Sequence, residues 1–362
     1  MDEIFLWVKG LKKEVLNLLS ELESSRIKGY YRYSYSGDLY DETKGNIAGA
    51  IFALKILYIF GIKESDIRVK NAINYIISFK NSKGEIYDKL IYRKTFIRNF
   101  LASLYKKNYV NLLNQEYKRA ETRQAYSALK LFGYFINKDE INLEIPLSKE
   151  GINMFLNNLK WESPWGAGSH FSHLMFYLQY YYEINKISEK KYTELVETAL
   201  SFIKSIQHEE DGFWYRGNPC IREKINGAMK IITGLKIINK VHFEHSNKII
   251  DNCLLEKNNE HACDNFNIIY VLKYSNLVSQ RYKINEIREF AHEKLNDYRK
   301  YYKNKGFSFH INKANDVYYG CRITKGIDEE DIHGTVLFLW GISIILQILD
   351  RKEKEMFKEF LT

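Results

Sequence analysis

The sequence has few prolines and cysteines and no long apolar run. Only 3 prolines occur in 362 residues, and with 45% hydrophobic and 27% charged residues the composition excludes disorder as the main state and indicates a sizeable core. The 4 cysteines, Cys220, Cys253, Cys263 and Cys321, form no CxxC pair, which argues against a disulfide framework and a zinc ribbon. No stretch reaches the roughly 18 apolar residues of a membrane span, and the start lacks the pattern of an export signal. We therefore expect a cytoplasmic protein without a transmembrane segment.

The net charge is mildly positive, because 54 Lys and Arg face 45 Asp and Glu, which gives +9. The lysines are spread through short runs that also contain acidic or apolar residues. Solvated helix faces explain such runs, whereas nucleic-acid binding needs a concentrated basic stripe or a known motif. We therefore expect no nucleic-acid partner. The 28 Tyr, 21 Phe and 5 Trp exceed what is usual, and we expect some of them to line a cavity.

Helical periodicity dominates the pattern of apolar residues. Strict alternation is never sustained, whereas apolar residues recur at i, i+3, i+4 and i+7, for example from Ile47 to Leu57 before Gly61. Helices rich in small and apolar residues alternate with more charged, amphipathic ones such as the segment 189–207. The alternation predicts inner and outer helices. The predicted inner helices begin near Ile47, Arg123, Ser169, Asn226, Asp264 and His333.

One turn between an outer and an inner helix has a distinctive composition. The segment from Ala199 to Trp214 contains Gln207 at the end of a helix, then Gly212, then the aromatic pair that ends in Trp214. A glutamine can satisfy backbone groups at the end of a helix, glycine permits the turn, and tryptophan packs against the preceding helix. Weaker copies occur at 72–87, 154–168 and 295–309.

These residues resemble the QW repeat of the terpenoid cyclase and protein prenyltransferase superfamily. The resemblance extends as a repeat pattern from about Asp38 to Leu349. It implies an all-α fold, a single α/α toroid of about six helical hairpins. We accordingly predict one domain over 1–362, with residues 1–25 as a peripheral N-terminal helix.

In such a toroid the inner helices run parallel, so polar residues at their N-terminal ends meet at one mouth of a central cavity. Helix N-termini also favour an anionic group there. For Asn46, Asn226 and Asp264, local N-capping is an equal explanation. We predict His170 and Asp264 as catalytic residues of this mouth. The predicted substrate-binding residues are Asp41, Arg123, Trp165, His173, Trp214 and Asn226.

The acidic segment 328–331 precedes the last inner helix and admits two interpretations. Its carboxylates can simply complement the helix dipole. The segment also resembles the DxDD acid of class II terpene cyclases, which implies a proton donor at Glu330, kept protonated by its neighbours. We therefore list Glu330, Asp331 and His333 as candidate catalytic residues.

A second resemblance concerns a metal. The run from Asp331 to Thr335 is similar to the zinc-binding histidine segment of protein prenyltransferase β subunits, and the run from His261 to Asp264 lies where that family has its other ligands. The resemblance implies a three-ligand zinc site of Cys263, His333 and either His261 or Asp264, with one open position. The alternative is that Cys263 belongs to the core.

The favoured function is an enzyme that performs acid catalysis on an isoprenoid or a similar small molecule in an aromatic-lined cavity. The enzymatic alternative is a glycan-cleaving toroid, a glycoside hydrolase or a polysaccharide lyase, in which carboxylates such as Asp264 and Asp331 act on a sugar. The non-enzymatic alternative is a binding toroid that holds a partner protein. A continuous apolar wall would favour an isoprenoid, and polar groups among aromatic platforms would favour a sugar.

Overall fold

The structure is a computed structural model that describes residues 3–37, 47–89, 97, 100–105, 115–319 and 321–362. Two predicted residues of the cavity mouth, Asp41 and Asn46, lie outside these ranges. α-Helices dominate the described chain. It also contains two short 3₁₀ helices, at Lys138–Glu140 and Lys352–Met356, and one antiparallel pair of two-residue strands, β1 (Val317–Tyr318) and β2 (Cys321–Arg322). The helices whose bounds are given are α1 (Glu3–Leu22), α2 (Ala48–Ile59), α3 (Ile67–Ile77), α4 (Gln115–Lys130), α5 (Lys149–Asn157), α6 (Pro164–Glu183), α7 (Glu189–Ser205), α8 (Ile221–Ile237), α9 (Ser246–Leu254), α10 (Ala262–Val278), α11 (Ile284–Arg299) and α12 (Ile332–Ile348). Residues 100–105, between α3 and α4, are also helical.

Burial alternates along this order of helices. In α2, 11 of the 12 residues are buried, whereas in α7 only 5 of 17 are buried, all on one face. In the even-numbered helices at least half of the residues with a described burial are buried, and in the odd-numbered helices fewer than half are. The predicted alternation of more buried and more amphipathic helices is therefore confirmed, and the fold class is all-α.

The turn between α7 and α8 is held by Gln207, Gly212 and Trp214, but the partners of Gln207 and Trp214 lie in the turn and before α9 and not on α7. The side-chain amide of Gln207 donates to the carbonyl oxygens of Gly212, at 2.8 Å, and Glu244, at 2.6 Å. Gly212 has φ +81°, and a Cβ atom there would lie 2.7 Å from the carbonyl oxygen of His245. Trp214 is buried against Phe243, with ring centroids 5.3 Å apart. Glycine is therefore required by both the backbone conformation and the close approach.

The same kind of turn recurs between other outer and inner helices. Each instance pairs one residue after the outer helix with one before the inner helix through an isolated antiparallel bridge. The predicted copy at 154–168 differs, because there Trp161 is buried and donates its ring N–H to the carbonyl oxygen of Leu156 at 2.9 Å. The bridges are Glu23 with Tyr31, Lys80 with Ile86, Gln207 with Trp214, and Tyr302 with Phe307.

The chain divides into two compact units, which are described separately below. The first contains residues 1–136, 295–346 and 351–360, and the second contains 137–294, 347–350 and 361–362. Within the first unit, α1 buries one stripe of its surface, and Trp7 contacts Tyr302 with ring centroids 5.5 Å apart. The single domain and the peripheral role of residues 1–25 stay predictions. None of the helices in the described ranges is long and apolar enough to span a bilayer.

Candidate functional site

In the first unit, Asp331 ties the start of α12 to the chain that precedes it. Its Oδ2 accepts the backbone N–H groups of Phe309 at 2.7 Å and Asn315 at 3.0 Å, and its Oδ1 accepts that of Gly334 at 2.7 Å. Asp331 has no exposed surface, and burial raises its pKa to about 7, against the lowering effect of those N–H groups. Both oxygens are thus used by backbone donors, and the contact to Gly334 is an N-cap of α12.

The neighbouring carboxylates are also held by local donors. Glu330 is buried and its Oε1 accepts the N–H of Lys305 at 3.1 Å. Glu329 Oε1 accepts from the hydroxyl of Ser34 at 2.6 Å and its Oε2 accepts from the N–H of Ser36 at 3.1 Å. These contacts explain the burial of both carboxylates by structural needs, so the interpretation of the acidic segment as helix and loop support gains weight over that of a proton donor.

A box of four rings, which we call the aromatic box, surrounds the first turn of α12. It consists of Tyr33, Phe52, Tyr318 and His333. His333 stacks on Phe52, with centroids 4.6 Å apart and planes 7° apart, and Tyr33 lies within 6.0 to 6.2 Å of each of the other three rings. Tyr33, Phe52 and Tyr318 are buried, whereas His333 is half-buried. His333 is therefore the member of the box that can contact a ligand most readily.

Two carboxyl groups that sequence analysis did not single out lie beside this box. Glu121 on α4 and Asp88 in the loop after α3 are 3% and 2% exposed. Glu121 Oε2 accepts the backbone N–H of Asp88 at 2.7 Å, and within the described ranges no hydrogen-bond partner exists for its Oε1. Burial, and then the charge of Asp88, raise the pKa of Glu121 to about 8, while the Asp88 amide and the side chain of Tyr318 lower it. At neutral pH this carboxyl group is mostly protonated.

Tyr318 connects the carboxyl groups with the aromatic box. Its ring lies 6.4 Å from that of Phe52 and 4.4 Å from that of Tyr319. Burial raises the pKa of Tyr318 well above its usual value, and the charge of Glu121 adds to this. The predicted substrate-binding residue Arg123 is buried two positions after Glu121 on α4 and lowers the pKa of Tyr319 by its charge. An acid, a second carboxyl group and several polar aromatic side chains therefore meet in one place.

In the second unit, the predicted catalytic residue Asp264 lies in a buried polar network at the start of α10. Its Oδ1 accepts from the amide of Asn226 at 2.8 Å, and its Oδ2 lies 3.0 Å from both Nε and Nη2 of Arg222. Asn226 Oδ1 in turn accepts from Asn267 at 2.9 Å. Asp264 and Asn226 have no exposed surface. The network compensates the buried charge of Asp264 and explains its position structurally.

His261 and Trp165 complete the exposed side of this network. His261 Nε2 lies 2.9 Å from Arg222 Nη2, and its Nδ1 accepts the N–H of Asp264 at 3.4 Å. The ring of Trp165 lies 5.9 Å from the guanidinium of Arg222. Trp165, Arg222 and His261 are partly exposed. Their partly exposed faces leave room for contact with a ligand, and the substrate-binding role of Trp165 stays a prediction.

The two histidines predicted on α6 are neighbours. The rings of His170 and His173 lie 6.1 Å apart in an edge-to-face arrangement, and His173 Nε2 lies 3.4 Å from the hydroxyl of Ser169. His173 is buried. Trp214, a predicted substrate contact, instead packs inside the turn described above.

The predicted zinc ligands do not form a metal site in the described part of the chain. No group of three or more His, Cys, Asp or Glu side chains that could hold a metal ion occurs there. Cys263 and His261 belong to the second unit and His333 to the first. Both ring nitrogens of His261 are engaged by Arg222 and by the start of α10, so neither is directed to a metal.

Sequence analysis missed Asp88, Glu121 and Tyr318, for a reason visible in the helix boundaries. The inner helix was expected to begin near Arg123, but α4 begins at Gln115, so Glu121 lies inside the helix rather than before it. The useful signal was the sequence 84–88. There the turn glycine is followed by Glu85 and then by an apolar residue, an aromatic residue and Asp88, much as Phe213 and Trp214 follow Gly212.

Comparison with known proteins assigns no family to the chain, so its function has to be inferred from the geometry of the site. No family model matches the chain, and no curated protein is significantly similar to it. Among solved structures, the chain is similar to a GH76 α-mannanase from Bacteroides thetaiotaomicron, with 11% sequence identity, a TM-score of 0.42 and coverage of 96% of both chains.

Proposed function

We propose that this protein is a glycan-cleaving enzyme in which Glu121 is the acid and Asp88 the second carboxylate. The observation that carries the proposal is the pair of buried carboxyl groups of Glu121 and Asp88 beside the aromatic box, in which Glu121 Oε2 accepts the backbone N–H of Asp88 at 2.7 Å. The proposal adopts the glycan alternative of the sequence analysis in place of the favoured isoprenoid substrate. It also assigns the chemistry to Glu121 and Asp88 in place of Asp264 and Asp331.

Glycoside cleavage needs the properties that this pair combines. One carboxyl group must be protonated near neutral pH to protonate the leaving oxygen, and the other must be a carboxylate that acts as a base or a nucleophile. The pKa of about 8 supports Glu121 as the acid. Its Oε1, which has no partner in the described chain, is the atom from which the proton would be donated. The charge of Asp88 favours the protonated form of Glu121.

The polar groups among the rings support a sugar over an isoprenoid. His333, Asn315 and the tyrosine hydroxyls bring hydrogen-bonding groups into the aromatic surroundings; for example, Asn315 Nδ2 donates to the hydroxyl of Tyr33 at 3.0 Å. A sugar has hydroxyl groups for such partners and an apolar ring face for the aromatic side chains, whereas the hydrocarbon part of an isoprenoid offers no hydrogen-bonding group to them. The carboxylates of the segment 328–331 that were candidates for an isoprenoid-protonating acid are occupied by backbone donors.

The test is hydrolysis of a panel of 4-nitrophenyl α- and β-glycosides and of plain polysaccharides, measured by nitrophenolate and reducing-end release. We expect turnover of at least one glycoside, and a loss of kcat of about 100-fold or more in Glu121→Gln and in Asp88→Asn. Glu116→Gln, on the first turn of the same helix, is the matched control and should retain wild-type kcat. Full activity of Glu121→Gln would contradict the proposal, and so would turnover of an isoprenoid diphosphate with none of any glycoside.

A further inference from the structure

The hairpin of β1 and β2 contains a strained residue next to the proposed acid. Tyr319, the residue that follows β1, has φ +44°. This left-handed conformation is unfavourable for a bulky side chain, and such residues occur preferentially at functional sites. Tyr319 directly follows Tyr318, which pairs with Cys321, so it stands in the turn of the hairpin, a position where asparagine or glycine is the ordinary choice.

The strain has a visible geometric result. In an extended strand, successive side chains point to opposite faces, so two adjacent tyrosines would be kept apart. Here the rings of Tyr318 and Tyr319 lie 4.4 Å apart, their hydroxyl groups interact, and both side chains are next to Glu121. The left-handed turn therefore places the two adjacent tyrosines on the same side, toward α4.

We propose that the Val317–Arg322 hairpin is a positioning device in which strained Tyr319 holds Tyr318 against the carboxyl group of Glu121. The inference rests on the proposed function, because it assigns a task to the neighbours of the acid. Tyr319 is a positioning residue that acts through Tyr318. Tyr319 also contacts Tyr117 on α4, with ring centroids 5.3 Å apart, which anchors the turn on the helix that carries Glu121.

The groups that surround Glu121 fix the sign of the expected pH effect. Asp88 raises the pKa of Glu121 and Tyr318 lowers it. Tyr319 in turn raises the pKa of Tyr318, and Arg123 lowers that of Tyr319. Loss of the Tyr318 contact should therefore raise the pKa of Glu121. Since Glu121 is active in its protonated form, the alkaline limb of kcat/KM should move to higher pH.

The test compares Tyr318→Phe, Tyr319→Asn and the double variant in the glycoside assay. Asparagine accepts the left-handed backbone, so Tyr319→Asn removes the side chain and keeps the turn. We expect each single variant to lower kcat by about tenfold, with KM within about threefold of wild type, and to move the alkaline limb upward by about 0.5 pH unit. The double variant should resemble the single ones, because Tyr319 acts through Tyr318.

Tyr134→Asn, on the exposed turn after α4, is the control and should match wild type. Additive effects in the double variant, an increase of KM without a change of kcat, an unmoved alkaline limb or a melting temperature well below that of wild type in Tyr319→Asn would each overturn the inference. Glu121→Gln, measured in parallel, separates the two hypotheses. If that variant is inactive while Tyr319→Asn is unchanged, the proposed function stands and the positioning role of the hairpin is wrong.

Discussion

The helices α4 and α12 of the first unit hold the chain that precedes them with a similar set of contacts. We call these two sets the α4 clamp and the α12 clamp. In the α4 clamp, Thr122 Oγ1 accepts the N–H of Ile86 and donates to its carbonyl, both at 3.1 Å, and Glu121 accepts the N–H two residues later. In the α12 clamp, Thr335 Oγ1 accepts the N–H of Phe307 at 3.0 Å and lies 3.2 Å from its carbonyl oxygen, and its hydroxyl also reaches the carbonyl oxygen of Asp331 at 2.7 Å. Asp331 accepts the N–H of Phe309, again two residues later. Each clamped segment begins at the bridge residue of a repeated turn.

The two clamps differ in the number of backbone N–H groups that the carboxyl group accepts. Asp331 receives three backbone N–H groups, whereas Glu121 receives one and keeps an oxygen without a partner in the described ranges. A saturated carboxylate can support the fold, but it has no free oxygen for a substrate. The comparison teaches that the same scaffold contact can be purely structural in one repeat and leave a reactive group in another.

The largest effect on stability should come from Asp331→Ala. The substitution leaves three buried N–H groups without their acceptor, and each costs about 1–3 kcal/mol. We expect the free energy of unfolding to fall by about 3–5 kcal/mol in urea denaturation. Asp328→Ala removes an exposed carboxylate of the same segment and should change it by less than about 0.5 kcal/mol. Equal effects of the two variants would show that the α12 clamp does not depend on Asp331.

The second prediction concerns the pH dependence of stability. Glu121 has a folded pKa of about 8, above the unfolded value of about 4.3. Between these values the folded state binds one more proton than the unfolded state, so stability falls as pH rises, by about 1.4 kcal/mol per pH unit. Above the folded pKa the slope from this group ends. Glu121→Gln should remove this part of the slope in unfolding measured between pH 5 and 8, and Glu116→Gln should retain it.

Part of the pH dependence of the unfolding free energy should remain in Glu121→Gln, because burial also raises the pKa of Asp331, to about 7. A slope that is identical in wild type and Glu121→Gln would contradict the protonated state of Glu121 at neutral pH.

The third prediction tests whether the two clamps are equivalent in their threonine contacts. Thr122→Val and Thr335→Val each remove one hydroxyl that both accepts and donates, at nearly constant volume. We expect each variant to lose about 1–2 kcal/mol of unfolding free energy, with similar values in thermal and urea unfolding. A loss in only one of them would show that the resemblance between the clamps is geometric and not energetic.

The smallest effect should come from a contact that only the α4 clamp has. Tyr126, one turn after Thr122, is buried and donates its hydroxyl to the carbonyl of Gly84 at 2.7 Å. At the corresponding place on α12 stands Leu339, which cannot donate. Tyr126→Phe should cost about 1 kcal/mol, and a change of less than about 0.3 kcal/mol would place this contact outside the clamp.

Sequence analysis predicted the features that depend on residues close together in the chain. The helical class follows from apolar periodicity, and the turn at Gln207, Gly212 and Trp214 can be located from composition within eight residues, although its Gln207 amide also reaches Glu244. The proposed site depends on longer separations. Glu121 meets Asp88 across 33 positions and Asp331 meets Phe309 across 22, and no local pattern relates such residues.

What the sequence by itself determined is therefore the alternation of buried and amphipathic helices, because burial of one face requires a 3.6-residue period. It also determined that carboxylates precede α12. Only the tertiary structure decided which carboxyl groups are saturated and which retain an unpaired oxygen. That difference arises because the N–H groups of distant loops reach Asp331 in greater number than Glu121, and the pKa of a buried acid depends on those donors and on its charged neighbours.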